Sequence, residues 1–94
     1  MTENKFNRQF PKLHDGAVIR KEEFGFIVFD PLTDTVFKIN LVGTKILQYC
    51  NGARNVHNIS KLIAEEFDTD QETAFNDVND FISELAKLNL IKYV

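Results

Sequence analysis

The sequence predicts an α+β domain, a three-stranded antiparallel sheet followed by three helices. Two observations carry this. Phe24–Asp30 and Thr35–Ile39 are rich in Phe, Val and Ile and flank the turn cluster Pro31-Leu32-Thr33-Asp34, the pattern of paired strands joined by an open turn. After Asn40, apolar residues recur every three or four positions in three successive segments, the pattern of amphipathic helices. A chain of 94 residues, 44% hydrophobic with nine Phe and no Trp, is sized for one domain with one core and is too apolar for a disordered chain.

Met1 to Asp15 is polar, is punctuated by Pro11 and carries Phe6, Phe10 and Leu13 as isolated apolar residues. It reads as a flexible arm, residues 1–15, ahead of a folded domain over residues 16–94. Phe6 and Phe10 are its candidates for docking on a second subunit of a homodimer. Gly16 opens the first strand, Ala17 to Glu22, whose Arg20, Lys21 and Glu22 suit a sheet edge. In the second strand, Phe24 to Asp30, Phe24, Phe26 and Val28 point one way and Ile27 and Phe29 the other. Both faces are then apolar, so either the helices or a partner must cover the second one. In the third strand, Thr35 to Ile39, Phe37 and Ile39 share one face and Val36 and Lys38 the other.

Asn40 is suited to cap the first helix, which runs to about Cys50 with Val42, Ile46, Tyr49 and Cys50 as its apolar stripe. Gly43 allows close approach of a neighbour, and Asn51-Gly52 is a stop signal. The second helix, about Asn58 to Phe67, sets Ile59, Leu62, Ile63 and Phe67 against Lys61, Glu65 and Glu66. Asp68-Thr69-Asp70 breaks the chain, and Thr69 with Glu72 fits a capping box. The third helix repeats Phe75, Val78, Ile82, Leu85 and Leu88 at helical spacing with Phe81 flanking the stripe, and Asn89 ends it. Leu90, Ile91 and Val94 form an apolar tail that either adds a strand or packs on the core.

No catalytic set is present in the sequence. It has no Gly-rich phosphate loop, no paired His at metal spacing, and no Ser beside a His base, so no catalytic residue, metal ligand or cofactor is assigned and the chain is not expected to be an enzyme. His14 and His57 read as surface residues. Cys50 alone forms no intrachain disulfide and reads as a buried small hydrophobe. Met1 to Asp15 lacks the apolar centre of a signal peptide, and no run is long enough to span a bilayer, so a cytoplasmic protein without a membrane role is expected.

Net charge is −3, and its distribution is uneven. Between Glu65 and Glu84 lie only acidic charges, Asp77, Asp80 and Glu84 among them, without a Lys or Arg. Strands followed by helices also form a winged helix-turn-helix-like order. A DNA reader would present Lys and Arg from its last helix, and here that helix is acidic, so no nucleic-acid partner is expected. The surviving alternatives on this pattern are a winged-helix regulator or protein–protein adaptor, or a subunit lending a residue to a partner's active site.

An Asp-bounded turn, then Val36-Phe37-Lys38-Ile39-Asn40, then Gly43, a helix ending at Asn51-Gly52 and a late Asp77-Val78-x-x-Phe81-Ile82-x-x-Leu85 resembles the PqqD family over Gly16 to Val94. Members are peptide chaperones of pyrroloquinoline quinone synthesis, and their fold recurs as the recognition element of ribosomal-peptide modification systems. The resemblance implies a non-catalytic protein that holds the leader segment of a precursor peptide. It would present that leader to a modifying enzyme, often of the radical S-adenosylmethionine class. Pyrroloquinoline quinone, mycofactocin, lasso-peptide and thioether-peptide pathways all fit. The family's groove between third strand and last helix carries the binding role onto Thr35, Val36, Phe37, Lys38 and Ile39 as the strand template, with Val78, Phe81, Ile82 and Leu85 as apolar walls. Phe81 is favoured because it flanks the main stripe. Asp77, Asp80 and Glu84 are expected to meet basic residues of the leader or the enzyme.

Overall fold

The computed structural model describes residues 9–94. The elements are β1 (Pro11–Leu13), β2 (Val18–Glu22), β3 (Gly25–Asp30), β4 (Thr35–Ile39), α1 (Leu41–Tyr49), α2 (Val56–Glu66), α3 (Gln71–Lys87) and β5 (Ile91–Tyr93). The main sheet is an antiparallel meander in the order β2-β3-β4, so β3 is central and β2 and β4 are its edges. Its register pairs Val18 with Phe29, and Phe29 with Val36. The open turn follows from Asp30, whose carboxylate accepts from the Leu32 amide at 3.0 Å and the Thr33 hydroxyl at 3.1 Å. Asp34 closes the turn in the left-handed region, φ 59°.

Phe24 departs from the expected strand. It sits in the two-residue turn between Glu22 and Gly25 and is 64% exposed, because Gly25, at φ 139°, takes the backbone step that a side chain rarely makes. The two faces of β3 are both apolar, as read. Val28 is fully buried beneath the helices, with Phe37 and Ile39 of β4 packed against the same core. On the far face Ile27 is buried, whereas Val18 and Val36 are 46% and 54% exposed.

The helices begin where polar side chains can take up free amides. Asn40 Oδ1 accepts from the Gly43 amide at 2.8 Å and starts α1 as expected. Two helix starts differ from the expectation: α2 begins at Val56 rather than at about Asn58, and α3 takes another cap. Asn55 caps α2, accepting from Asn58 at 2.8 Å, and Asp70 rather than Thr69 caps α3, accepting from Thr73 at 2.8 Å. Asn89, at φ 63°, ends α3 with its amide on the Ala86 carbonyl and the Leu90 amide on the Leu85 carbonyl. Along α3 the buried stripe is Ala74, Val78, Ile82 and Leu85, while Phe75 and Leu88 are exposed. Phe75 meets His57 of α2 instead, ring centres 6.4 Å apart.

The main revision concerns the start and end of the chain. Pro11–Leu13, read as part of a flexible arm, is a strand paired antiparallel with β5. Pro11 is fully buried. The Leu13 amide donates to the Cys50 carbonyl and the Gly52 amide to the Pro11 carbonyl, so this small sheet also seals the end of α1. Phe10 exchanges two backbone hydrogen bonds with Val94 of its own chain. Phe6 lies outside the described residues. His14 is not a free surface residue either: its Nδ1 accepts from the Gly16 amide at 3.0 Å, and its Nε2 lies 3.2 Å from the buried carboxylate of Asp30. Cys50 is buried, which pushes its thiol up to about 12.

Candidate functional site

β4 is the edge of the main sheet that the helices flank. Along one side of it, half of the backbone N–H and C=O groups have no strand partner among the described residues, which is the chemistry that accepts an added strand. Its alternation divides the side chains: Thr35, Phe37 and Ile39 are half-buried toward the helices, and Val36 and Lys38 are exposed. The Lys38 ammonium lies 5.1 Å from the centre of the Phe24 ring and is held there by a cation–π contact.

Beside the end of β4 is a cavity of about 420 Å³. Lys38, Ile39 and Asn40 form one wall, Val42, Gly43 and Ile46 of α1 a second, and Asp77 and Phe81 of α3 the third. Asp77 and Phe81 are four residues apart, hence on one side of the helix. The Asn40 side chain is occupied in capping α1. The lining is therefore mainly apolar, with Lys38 and Asp77 as its charged members. This brings Lys38, Ile39, Asp77 and Phe81 of the expected site together, and Phe81 is half-buried.

Other expected residues fall elsewhere. Val78 is 0% and Leu85 5% exposed, and with Ile82 they are core residues with no surface to give a peptide. The stripe pattern shows which side of a helix is apolar, and in this fold that side faces the chain's own sheet and helices. Asp80 and Glu84 are exposed but do not border the cavity; Asp80 is turned about 100° from Phe81 around the helix. Val42, Gly43 and Ile46 were not foreseen as wall residues, because where α1 lies against α3 is a tertiary fact. Gly43 alone carried a signal, as a place of close approach, and the approaching group is Phe81.

A second cavity, about 410 Å³, lies on the other flank of α3 among Asn55, His57, Phe75, Asn79 and Tyr93 and borders no strand of the main sheet. Among the described residues no cluster of His, Cys, Asp or Glu could hold a metal ion, and no helix is long and apolar enough to cross a membrane.

The sequence profile of the family described as Coenzyme PQQ synthesis protein D (PqqD) matches residues 25–91. Three solved structures share the fold. TbiB1 in complex with the TbiA(beta) leader peptide is 25% identical, with TM-score 0.72 over 85% of this chain and 93% of that one. Lasso peptide synthetase B1 complexed with its leader peptide is 12% identical, with TM-score 0.74 over 87% and 96%. The PqqD truncation of Methylobacterium extorquens PqqCD, described as a stand-alone recognition element for ribosomally synthesized and post-translationally modified peptides, is 19% identical. Its TM-score is 0.73, over 87% of each chain. A search of curated protein sequences finds no match.

Proposed function

We propose a function from the premise that this chain belongs to the PqqD family: it binds the leader segment of a ribosomally made precursor peptide and presents it to a modifying enzyme, without catalysing chemistry itself. The observation that carries this is the free edge of β4 lying beside an apolar cavity walled by α1 and α3. A leader in extended form would add to β4 as a fourth strand. Its backbone would bond to Thr35–Ile39, and every second side chain would turn toward the helices. That TbiB1, of the same fold and 25% identical, was captured with a leader peptide supports the reading. Asp77 would meet a basic or hydrogen-bond-donating residue of the leader. The partner enzyme we infer from the family is of the radical S-adenosylmethionine class.

The test is titration of the ¹⁵N-labelled full chain with the leader of a precursor encoded at the same locus, following backbone amides. Saturable shifts at Thr35–Ile39, Gly43, Asp77 and Phe81 are the expected result. Saturable binding with shifts confined to β2, the other edge, would overturn the assignment of the edge. The absence of saturable shifts would overturn the function.

A further inference from the structure

Gly43 lies inside α1 with no positive φ, so its backbone does not call for glycine, and glycine inside a helix weakens it relative to alanine. What a methyl group there would meet is the Phe81 ring, which would have to give by a few tenths of an ångström. A Cβ built on Gly43 would lie 3.1 Å from Phe81 Cζ and 3.3 Å from its Cε1, closer than two carbon atoms settle. Phe81 is half-buried and borders the open cavity. A methyl at position 43 would therefore press the ring away from α1, and the cavity it borders is space that can receive it.

We propose that Gly43 sets the size of a side-chain pocket: by letting the Phe81 ring rest against α1 it keeps open, beside the end of β4, a recess that takes one large apolar side chain of the bound leader. The proposal rests on the leader-binding reading. The occupant is apolar because Ile39, Val42, Ile46 and Phe81 supply the inner walls. Of the polar groups that line it, Asn40 Oδ1 holds the Gly43 amide and the Lys38 ammonium lies over Phe24, while Asp77 borders the cavity and is left for a basic or hydrogen-bond-donating neighbour of that apolar side chain. The occupant is large because the cavity measures about 420 Å³, and a strand added to β4 turns one of its alternate side chains over it.

The experiment pans a displayed library of random 15-residue peptides on the full-length protein, on Gly43→Ala and on Phe81→Leu, with thermal melts of all three. The wild type is expected to select peptides sharing one Leu, Ile, Phe or Tyr position. Gly43→Ala is expected to melt no lower than wild type and to select Val or Ala there. In binding assays of one selected peptide, its preference for the large side chain over Val should fall roughly tenfold, the scale of a methylene in a tight pocket. Phe81→Leu, which enlarges the recess, should move selection the other way, toward the bulkiest side chains. Unchanged size preference in both variants overturns the role of Gly43 while leaving leader binding standing. No convergent peptide on the wild type overturns leader binding and this inference with it.

Discussion

Asn40 does two things with one side chain: its carboxamide oxygen starts α1 by accepting from Gly43, and its position forms part of the cavity wall. Asn40→Ala should destabilise the fold by about 1 kcal/mol, the usual cost of losing a cap, whereas Asn40→Ser should retain most of it; urea denaturation measures both. Asp30 has a different kind of role. Burial acts to raise its pKa, but hydrogen bonds from the Leu32 amide, the His14 ring and the Thr33 hydroxyl outweigh it and hold the carboxyl below its ordinary value of 3.8. A carboxyl depressed in the folded state stabilises above its unfolded pKa, and that contribution is lost as pH falls through the folded value. Asp70, depressed chiefly by the Thr73 amide it caps, acts in the same direction. Melting temperature should therefore be flat near neutrality and fall below about pH 4. Asp30→Asn should melt lower than wild type at pH 7, and the gap should narrow by pH 3. An equal gap at both values would show that the turn does not depend on the charge.

Among the elements, β4 was fully legible in the sequence. Pro31 and Asp34 punctuate one end, Asn40 caps the next helix, and strong β-formers lie between. β1 was not legible. Pro-Lys-Leu is too short to show a period, and its partner Ile91–Tyr93 is at the other end of the chain, so no local pattern could pair them. The helix starts moved for a related reason. Asn55, Asn58, Thr69 and Asp70 are all chemically able to cap, and packing chooses among them. For the site, the side of α3 bearing Asp77 and Phe81 was readable from spacing. Which apolar residues remained at the surface was not, since that depends on what Val78 and Leu85 pack against. The structure assigns β1 a role beyond a tether: it covers β5 and supplies partners to Cys50 and Gly52 at the end of α1. A chain beginning at Gly16 should lose on the order of 2 kcal/mol, or about 10 °C in Tm for a domain of this size, relative to one beginning at Gln9. Equal melting of the two would place the domain boundary at residue 16, where the sequence alone put it.

At the scale of the whole molecule, charge is segregated. The ion pairs of the described residues, Lys12–Asp15, His14–Asp30, Arg20–Glu22 and Lys45–Glu66, all lie outside α3. Asp77, Asp80 and Glu84 are thus exposed with no ion-pair partner among those residues. Exposed carboxylates on a helix beside β4 create a negative field, and such a field speeds encounter with a basic peptide and is screened by salt. Their positions make the effect unequal. Asp77 borders the cavity, Glu84 lies two turns along on the same side of the helix as Asp77, and Asp80 is turned furthest from Phe81. For a leader carrying basic residues, Asp77→Lys should slow association most, Glu84→Lys less and Asp80→Lys least. The three rates should converge as ionic strength rises from about 50 mM to 1 M, where the screening length falls to about 3 Å. Surface plasmon resonance at several salt concentrations separates this from contact loss, which would raise the off-rate and persist at high salt. Equal effects from all three reversals would mean that net charge alone steers the peptide and that the placement of Asp77 at the cavity is incidental.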